Sequence, residues 1–131
     1  MASAATRIHT IEDLLNPNIV KVVCDAKGDA LYFSRAPIPW PRDDPPRGVG
    51  PLPDRFNAYR HIGIYLYRNE TLMTLASFPA DRIEATERLE QLRALGRGIK
   101  IRIQDWDYRG IDVDTVEGLK KFEGTLRSDG G

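Results

Sequence analysis

The sequence predicts an α/β fold in which helices flank a β-sheet. Short runs of β-branched and aromatic residues have the length of strands, while other segments carry apolar residues at helical spacing. After residue 60 the predicted strands and helices alternate, which favours a layered α/β arrangement. The chain has 131 residues, of which 41% are hydrophobic and 29% charged, and these values are typical of a single globular domain.

The first part of the chain predicts a short helix followed by a β-hairpin. The segment TIEDLLNPN begins with Thr10, a preferred helix cap, and its helix is expected to end at the NPN tripeptide, residues 16–18. The β-branched run IVKVVCD predicts a strand, and ALYFS predicts the returning strand. The intervening AKGD predicts a turn, so the two strands are expected to pair as a hairpin.

Residues 59–68, YRHIGIYLYR, predict a strand whose two faces differ. Alternation places His61, Gly63, Tyr65 and Tyr67 on one face and Ile62, Ile64 and Leu66 on the other. A glycine in the middle of a strand often marks the close approach of a ligand or of another backbone.

Three helices and a further strand are predicted after that strand. TLMTLASF predicts a short helix that ends before Pro79, and DRIEATERLEQLRALG predicts one continuous helix capped by Gly96. The buried stripe of this longer helix is expected to be Ala85, Leu89, Leu92 and Leu95. GIKIRIQ predicts a strand, and DTVEGLKKFEGTL predicts a last helix.

Residues 37–57 are dense in proline and glycine and predict a long loop without regular structure. One interpretation is a surface loop or linker, and the other is a lid or dimer arm beside a functional site. Too few residues lie on either side for two separate cores, so the whole chain, residues 1–131, is expected to be one domain.

Charge and cysteine content narrow the class of protein. Lys plus Arg and Asp plus Glu each number 19, so the zero net charge argues against a general binder of nucleic acid or of anionic membranes. Cys24 is the only cysteine, which excludes an internal disulfide and favours the cytoplasm, and its apolar neighbours predict a buried thiol. Neither a signal peptide nor a membrane-spanning run is apparent, and we expect a cytoplasmic protein.

The segment GIDVDT, residues 110–115, is a candidate metal site. Alternation puts Asp112 and Asp114 on one face, about 7 Å apart, which suits a hard cation such as Mg²⁺. Alternatively, Asp114 and Glu117 form a capping box for the last helix, which explains one aspartate but not Asp112.

Four further residues at three places in the sequence are candidate ligand contacts, each with a plainer alternative. His61 shares its strand face with Gly63 and two tyrosines, although a lone histidine in a strand is more often structural. Glu90 and Gln91 lie on the polar side of the long helix with Glu84 and Glu87, where a solvated face paired with arginines is the alternative. Arg35 stands where a strand meets the proline-rich segment, and taken alone it is an ordinary surface arginine.

Several of these segments together resemble one family. NPNIVKVV, ALYFSRAPIPW, YRHIGIYLYR, LEQLR and GIDVDT occur in the order found in 3-deoxy-manno-octulosonate (KDO) cytidylyltransferase, or CMP-KDO synthetase. The resemblance runs through most of residues 16–119 and is to the C-terminal half of that enzyme. It implies a partial nucleotidyltransferase fold, Rossmann-like with a mixed sheet, and the transfer of CMP from CTP to the acid sugar KDO for lipopolysaccharide synthesis, with release of pyrophosphate.

The resemblance also implies residue roles. Arg35 would bind the sugar carboxylate, while His61, Glu90 and Gln91 would contact sugar hydroxyls. Asp114 would be a catalytic ligand of Mg²⁺, and Asp112 stands where this enzyme more often has glycine, as in cytidylyltransferases for other acid sugars. The family works as a homodimer, so a second copy of the chain is an expected partner beside CTP and KDO.

The sequence lacks two motifs of the family, the Gly- and Arg-containing phosphate loop and the GDEP-like metal motif. We therefore expect a truncated chain that holds the sugar-binding and dimerisation half and is inactive alone. The alternatives are a non-catalytic module that binds sugar acids or dimerises, and a related cytidylyltransferase for another acid sugar.

Overall fold

A computed structural model describes residues 1–107 of the chain, which form a mixed sheet with helices against it. In chain order the elements are β1 (Ala2–Arg7), α1 (Ile11–Leu15), β2 (Lys21–Cys24), β3 (Ala30–Ser34), β4 (Tyr59–Leu66), α2 (Asn69–Ser77), α3 (Arg82–Glu87), α4 (Gln91–Gly96) and β5 (Arg102–Asp105). Among the described residues, no helix is long and apolar enough to cross a membrane.

The sheet has five strands in the order β3-β2-β4-β1-β5. β2 and β3 form the hairpin that the sequence predicts, and β2 also pairs with the start of β4. β1 lies between β4, to which it is antiparallel, and β5, to which it is parallel. The sheet is therefore mixed, and β1 and β5 are paired from opposite ends of the described chain.

The pairing of β4 with β1 contains a large bulge. Two steps along β1, from Ser3 to Ala5, are matched by four steps along β4, from His61 to Tyr65. Gly63 lies in this bulge with φ +79°, a left-handed conformation that costs a glycine little. Because the two extra residues leave the alternation in phase, His61 and Tyr65 stay on the same face of β4.

Two hydrophobic clusters stabilise the fold. The main cluster lies between the sheet and α4, and its most buried members include Val22, Phe33, Leu92 and Ile101. A smaller cluster joins Ile8, Leu14, Leu52 and Ala58 at the end of β1. α1 contributes to this second cluster, and it begins at Thr10, whose side chain accepts a hydrogen bond from the Asp13 amide at 3.1 Å.

The proline-rich segment, residues 37–57, contains neither a helix nor a strand. Its second half is held against α1, where the Leu52 amide donates to the His9 carbonyl at 2.7 Å and the Leu52 side chain is buried. Its first half is more open, and Trp40 is half exposed. The chain is therefore held just before the segment, where the Arg35 amide donates to Glu87 at 2.9 Å, and again at Leu52, while the part around Trp40 is open to solvent.

Three expectations about these elements are wrong. The continuous helix is instead two helices, α3 and α4, because Arg88 adopts a left-handed conformation (φ 54°, ψ 51°) that ends α3. Ala85, expected in the buried stripe, is exposed, whereas Leu89 and Leu92 are buried. Cys24, expected to be buried, is exposed at the end of β2.

Candidate functional site

A cavity of about 490 Å³ lies where the end of β4 meets α2 and the junction of α3 with α4. Its walls are aromatic and aliphatic on the β4 and α2 side and polar on the helix-junction side. The lining residues are Tyr65, Tyr67, Leu72, Leu75, Ala76, Arg88, Leu89, Glu90, Gln91 and Arg93. An apolar cavity with a few converging polar groups is typical of a small-molecule site.

The polar wall is built by the turn that separates α3 from α4. This turn lets α4 begin at Gln91, with Glu90 just before it, so both side chains reach the cavity. Gln91 is only 6% exposed, and its amide makes no hydrogen bond to any residue within 1–107. An amide in that position offers a donor and an acceptor, so a hydroxyl-bearing ligand could satisfy both.

Arg88 forms the rim of the cavity between the two helices. Its backbone is left-handed, which costs a non-glycine residue about 1–2 kcal/mol. Arg88 lines the cavity and is exposed, and its guanidinium has no acidic or carbonyl partner in the part of the chain that the structure describes. The other arginine of the cavity, Arg93, is engaged, because its Nε donates to Glu84 at 2.7 Å.

Arg35 lies next to this rim and is held by backbone carbonyls. Its Nε donates to the Glu87 carbonyl at 2.8 Å, Nη1 to the Pro17 carbonyl at 3.1 Å, and Nη2 to the Arg88 carbonyl at 3.5 Å. A guanidinium has five N–H donors. Three are therefore used inside the protein, and two are left for a ligand.

The carboxylate of Glu87 fixes the end of β3 to the end of α3. It accepts hydrogen bonds from the Ser34 hydroxyl at 2.6 Å and from the Arg35 amide at 2.9 Å. Because the Glu87 carbonyl also accepts the Arg35 side chain, the two segments hold each other reciprocally. This arrangement determines where the rim at Arg88 stands relative to β3.

Lys21 is a fully buried amine beneath Arg35. Its Nζ donates to the carbonyls of Asn16 and Ile19, at 2.8 and 2.6 Å. Burial, and to a smaller extent the positive charge of Arg35, lowers the pKa of Lys21 to about 8, while Glu87 opposes the shift. Lys21 thus holds the turn of residues 16–19, whose Pro17 carbonyl binds Arg35.

His61 lies behind the cavity, on the same face of β4 as Tyr65. The Ser3 hydroxyl donates to the Ile64 carbonyl at 2.7 Å, so the 2.7 Å contact between Ser3 Oγ and His61 Nε2 requires Nε2 to carry the proton. The His61 ring packs against Phe33 and Tyr65, with centroids 4.9 and 5.2 Å away. Burial lowers the pKa of His61 to about 4, so the ring is neutral at pH 7.

Tyr65 and Tyr67 form the aromatic wall. Their ring centroids are 5.8 Å apart. Burial, with smaller contributions from Tyr67 and Glu90, raises the pKa of Tyr65. Burial and Glu90 likewise raise the pKa of Tyr67, so both phenols keep their protons at neutral pH and can donate hydrogen bonds.

The sequence profile of one family, described as cytidylyltransferase, matches residues 1–101. The chain belongs to the cytidylyltransferase family. It is 47% identical over 135 residues to 3-deoxy-manno-octulosonate cytidylyltransferase of Marinomonas sp. strain MWYL1, an alignment that covers 98% of this chain and 50% of that protein. It is 43% identical over 127 residues to the enzyme of the same name from Syntrophotalea carbinolica, covering 97% of this chain and 51% of that protein.

A solved structure of CMP:2-keto-3-deoxy-manno-octonic acid synthetase complexed with CTP has the same fold. It superposes with a TM-score of 0.81 at 34% sequence identity, and the match covers 98% of this chain and 49% of that one. The predicted α/β class with a mixed, Rossmann-like sheet is therefore confirmed. The cytidylyltransferase chain spans about half the length of these relatives.

The structure distributes the predicted site residues unevenly. Glu90 and Gln91 line the cavity, and Arg35 contacts its rim through the Arg88 carbonyl. His61 does not line the cavity and is separated from it by the ring of Tyr65. Asp112 and Asp114 lie outside the described residues, and within residues 1–107 no group of three or more His, Cys, Asp or Glu side chains could hold a metal ion.

Four residues of this region were not among the sequence-predicted site residues: Ser3, Lys21, Glu87 and Arg88. A lysine inside the β-branched run IVKVVC is a usable signal, because a lysine on a buried strand needs polar partners. Arg88 gives no such signal, because arginine is a good helix former and its left-handed conformation depends on contacts distant in sequence.

Proposed function

We propose that this chain supplies the acid-sugar side of a CMP-KDO synthetase site. In that reaction the anomeric hydroxyl of KDO attacks the α-phosphorus of CTP, a new C–O–P linkage forms, and the bond to the pyrophosphate leaving group breaks. The hydroxyl proton is released in the same step. Because the protein is asked for little covalent chemistry, orientation and electrostatics dominate catalysis.

The cavity beside α4 carries this proposal. Gln91 presents an amide that makes no hydrogen bond within residues 1–107 and is open to the cavity, next to the Glu90 carboxylate and two protonated tyrosines. These groups match a polyhydroxylated ligand, since each hydroxyl can both donate and accept. The similarity to 3-deoxy-manno-octulosonate cytidylyltransferases makes an acid sugar the ligand of choice.

In this proposal Arg35 binds the sugar carboxylate through the two N–H groups that the backbone carbonyls leave free. Glu90 and Gln91 bind hydroxyls. His61 packs against the ring of Tyr65 and supports it, and its unprotonated Nδ1 is available to accept a hydrogen bond from a sugar hydroxyl. The chain corresponds to the C-terminal half of the synthetase, and KDO is preferred over other acid sugars.

We test this proposal by NMR titration of the full chain with KDO. KDO is expected to shift the backbone amide signals of residues 65–67 and 88–93. Gln91→Ala is expected to weaken binding about tenfold, because two hydrogen bonds to the ligand are lost. The matched control is Gln104→Ala on β5, whose side chain is exposed. Equal affinity of Gln91→Ala and wild type would refute the assignment of the cavity.

Pyrophosphate release separates catalysis from binding. The chain is mixed with KDO, CTP and Mg²⁺, and pyrophosphate is measured. Release would establish the complete reaction, whereas binding of KDO without release would favour the alternative, a sugar-acid-binding module. In an active assembly, Arg35→Ala is expected to raise the requirement for KDO far more than that for CTP, and equal effects would contradict its role.

Mg²⁺ is the cofactor we propose, held by Asp114 with Asp112 as a second candidate. The described residues neither supply nor exclude this site, so its only support is the GIDVDT segment and family membership. Asp114→Asn is expected to abolish the Mg²⁺ dependence of activity in an active assembly and to weaken Mn²⁺ binding measured by electron paramagnetic resonance. Unchanged Mn²⁺ binding would remove Asp114 from the site.

We also propose a cytoplasmic homodimer. Support comes from large apolar side chains that are exposed on β4 and α2, including Leu66 at 73% and Met73 at 65%. Large apolar side chains exposed on neighbouring elements are typical of an interaction surface. In sedimentation velocity, the wild-type chain is expected to be a dimer and Leu66→Lys a monomer. A wild-type chain that stays monomeric at the highest concentration measured would refute the dimer.

A further inference from the structure

Arg88 combines two features that the proposed function does not use. It is the one non-glycine residue with positive φ in the described part of the chain, and it stands at the rim of the cavity. Backbone strain of this kind persists only where the surrounding structure enforces it, and it is concentrated at binding and catalytic sites. The strained backbone does not itself define a function, which depends on what the Arg88 side chain binds.

The surroundings of Arg88 enforce its conformation from both sides. The Glu87 carboxylate is tied to Ser34 and to the Arg35 amide, and the Arg88 carbonyl accepts from Arg35 Nη2. After Arg88 the chain must turn at once to bury Leu89 and Gln91. The left-handed residue therefore presents its carbonyl to Arg35 at the rim of the cavity that Arg88 lines.

Of the two arginines that line the cavity, Arg88 is the one without a partner within residues 1–107, because Arg93 is bound to Glu84. Arg35 stands beside the rim and keeps two N–H groups after its three bonds to carbonyls. The Arg88 guanidinium has no partner within residues 1–107, and it lies on the same wall as the unpartnered Gln91 amide. A guanidinium beside a neutral hydrogen-bonding amide suits an anionic group attached to a hydroxylated carbon chain.

We propose that Arg88 is a specificity-determining residue that binds the ligand's carboxylate and so selects acid sugars over neutral ones. This inference rests on the proposed function, because it concerns the same cavity. It differs in assigning anion selectivity to a residue on the α3–α4 turn, with Arg35 holding the carbonyl of that residue in place as well as offering its own free N–H groups.

The experiment crosses a protein change with a ligand change. Binding of KDO and of its methyl ester, which lacks the negative charge, is measured by calorimetry for the wild-type full chain and for Arg88→Asn. Asparagine tolerates a left-handed backbone better than most residues, so Arg88→Asn removes the cation without adding strain. Arg88→Lys keeps the charge but not the fork, and Arg82→Asn is the control, since Arg82 is an exposed arginine on α3.

Wild type and Arg82→Asn are expected to prefer KDO over the ester by about tenfold or more, as a charge-assisted hydrogen bond implies. Arg88→Asn is expected to reduce this preference about threefold or more, because only the two free N–H groups of Arg35 then meet the carboxylate, and Arg88→Lys is expected to show only part of this loss. A preference unchanged in Arg88→Asn would overturn the inference and leave the proposed function intact. Wild type that binds neither ligand would overturn both.

Thermal unfolding of the same variants shows whether a lost ligand preference is caused only by unfolding of the variant. Arg88→Asn is expected to unfold at or above the wild-type temperature because its backbone conformation is kept. If it unfolds at a lower temperature, Arg88→Gly, which also accepts positive φ, is measured in its place. A preference for KDO that survives in Arg88→Gly would overturn the inference in the same way.

Discussion

Lowering the pH from 7 to 4 is expected to destabilise the chain through His61. Burial lowers the pKa of this histidine from 6.5 to about 4, and its Nε2 already donates to Ser3. Between these pH values the unfolded chain takes up a proton that the folded chain refuses, so the free energy of unfolding falls as the pH falls. Below pH 4 both states are protonated and the contribution levels off.

The size of the effect follows from the pKa difference. Each unit is equivalent to about 1.36 kcal/mol, so the roughly 2.5 units imply an upper limit of about 3 kcal/mol. Such a loss is a large part of the stability of a small domain, which is about 5–15 kcal/mol. Above pH 6.5 the histidine is neutral in both states, and no pH dependence from this residue is expected.

The assay is urea denaturation at pH 7, 5.5 and 4 for wild type, His61→Gln and His9→Gln. Carboxylates titrate in the same range, so the informative quantity is the difference between wild type and each variant. His61→Gln is expected to remove up to about 3 kcal/mol of the pH dependence, whereas His9→Gln controls for the loss of an exposed imidazole. A His61 ring signal that titrates near 6.5 by NMR, with parallel stability curves, would refute the reasoning.

Three further predictions concern the contacts that build the site. Replacing Glu87 with glutamine is expected to lower the free energy of unfolding in urea by about 1–3 kcal/mol, because the new NH₂ group must face the Ser34 hydroxyl or the Arg35 amide, which are both donors. Glu70→Gln on exposed α2 is the control, and equal stability of the two variants would contradict the reciprocal attachment. Truncating the fully buried Leu92 to alanine is expected to cost about 2–5 kcal/mol, against less than about 0.5 for the half-exposed Leu72→Ala, and a small loss for both would mean that α4 does not cover the core. Because burial lowers the pKa of Lys21 from 10.5 to about 8, stability relative to Lys21→Met is expected to rise between these pH values by up to about 3 kcal/mol, since the cost of the buried charge disappears, and a flat difference would show that the amine is solvated.

Local sequence signals predict the elements well where the structure depends on neighbours in the chain. Thr10 and Asp13 form the helix start that their spacing indicates, and the turn after Cys24 closes the predicted hairpin. The order of the strands had no such signal. The central pair of β1 and β4 joins residues about 60 apart in sequence, and nothing in either strand specifies the other.

The break between α3 and α4 shows why one prediction failed. Arg88 has a good helix propensity, and the apolar spacing continues through it, so a single helix is what local signals favour. The break comes from contacts between Glu87 and β3, which are about 50 residues away in sequence. Tertiary contacts here outweigh propensity.

The candidate site was predictable in part for the same reason. Glu90 and Gln91 are adjacent in sequence and stay together on one cavity wall. Arg35 was selected for its position before a proline-rich segment, but its three carbonyl partners come from two distant turns that no local pattern brings together. The role of Lys21 is visible only in the folded chain. Lys21 binds the carbonyls of Asn16 and Ile19, and the turn that these bonds fix places the Pro17 carbonyl against Arg35.

Because the chain is held on both sides of the open part of residues 37–57, the fold is expected to tolerate a break in the backbone there. Arg42 and Arg47 are exposed in the open first half, whereas Leu52 is held against α1 and Arg35 against α3. Trypsin can therefore sever the chain after Arg42 and Arg47 without removing a single hydrogen bond between strands. Residues 43–47 would be released, and the two large fragments would remain one non-covalent particle, joined by β1 with β4 and β5, and would co-elute from a sizing column. Separate elution would mean that the sheet depends on an unbroken loop.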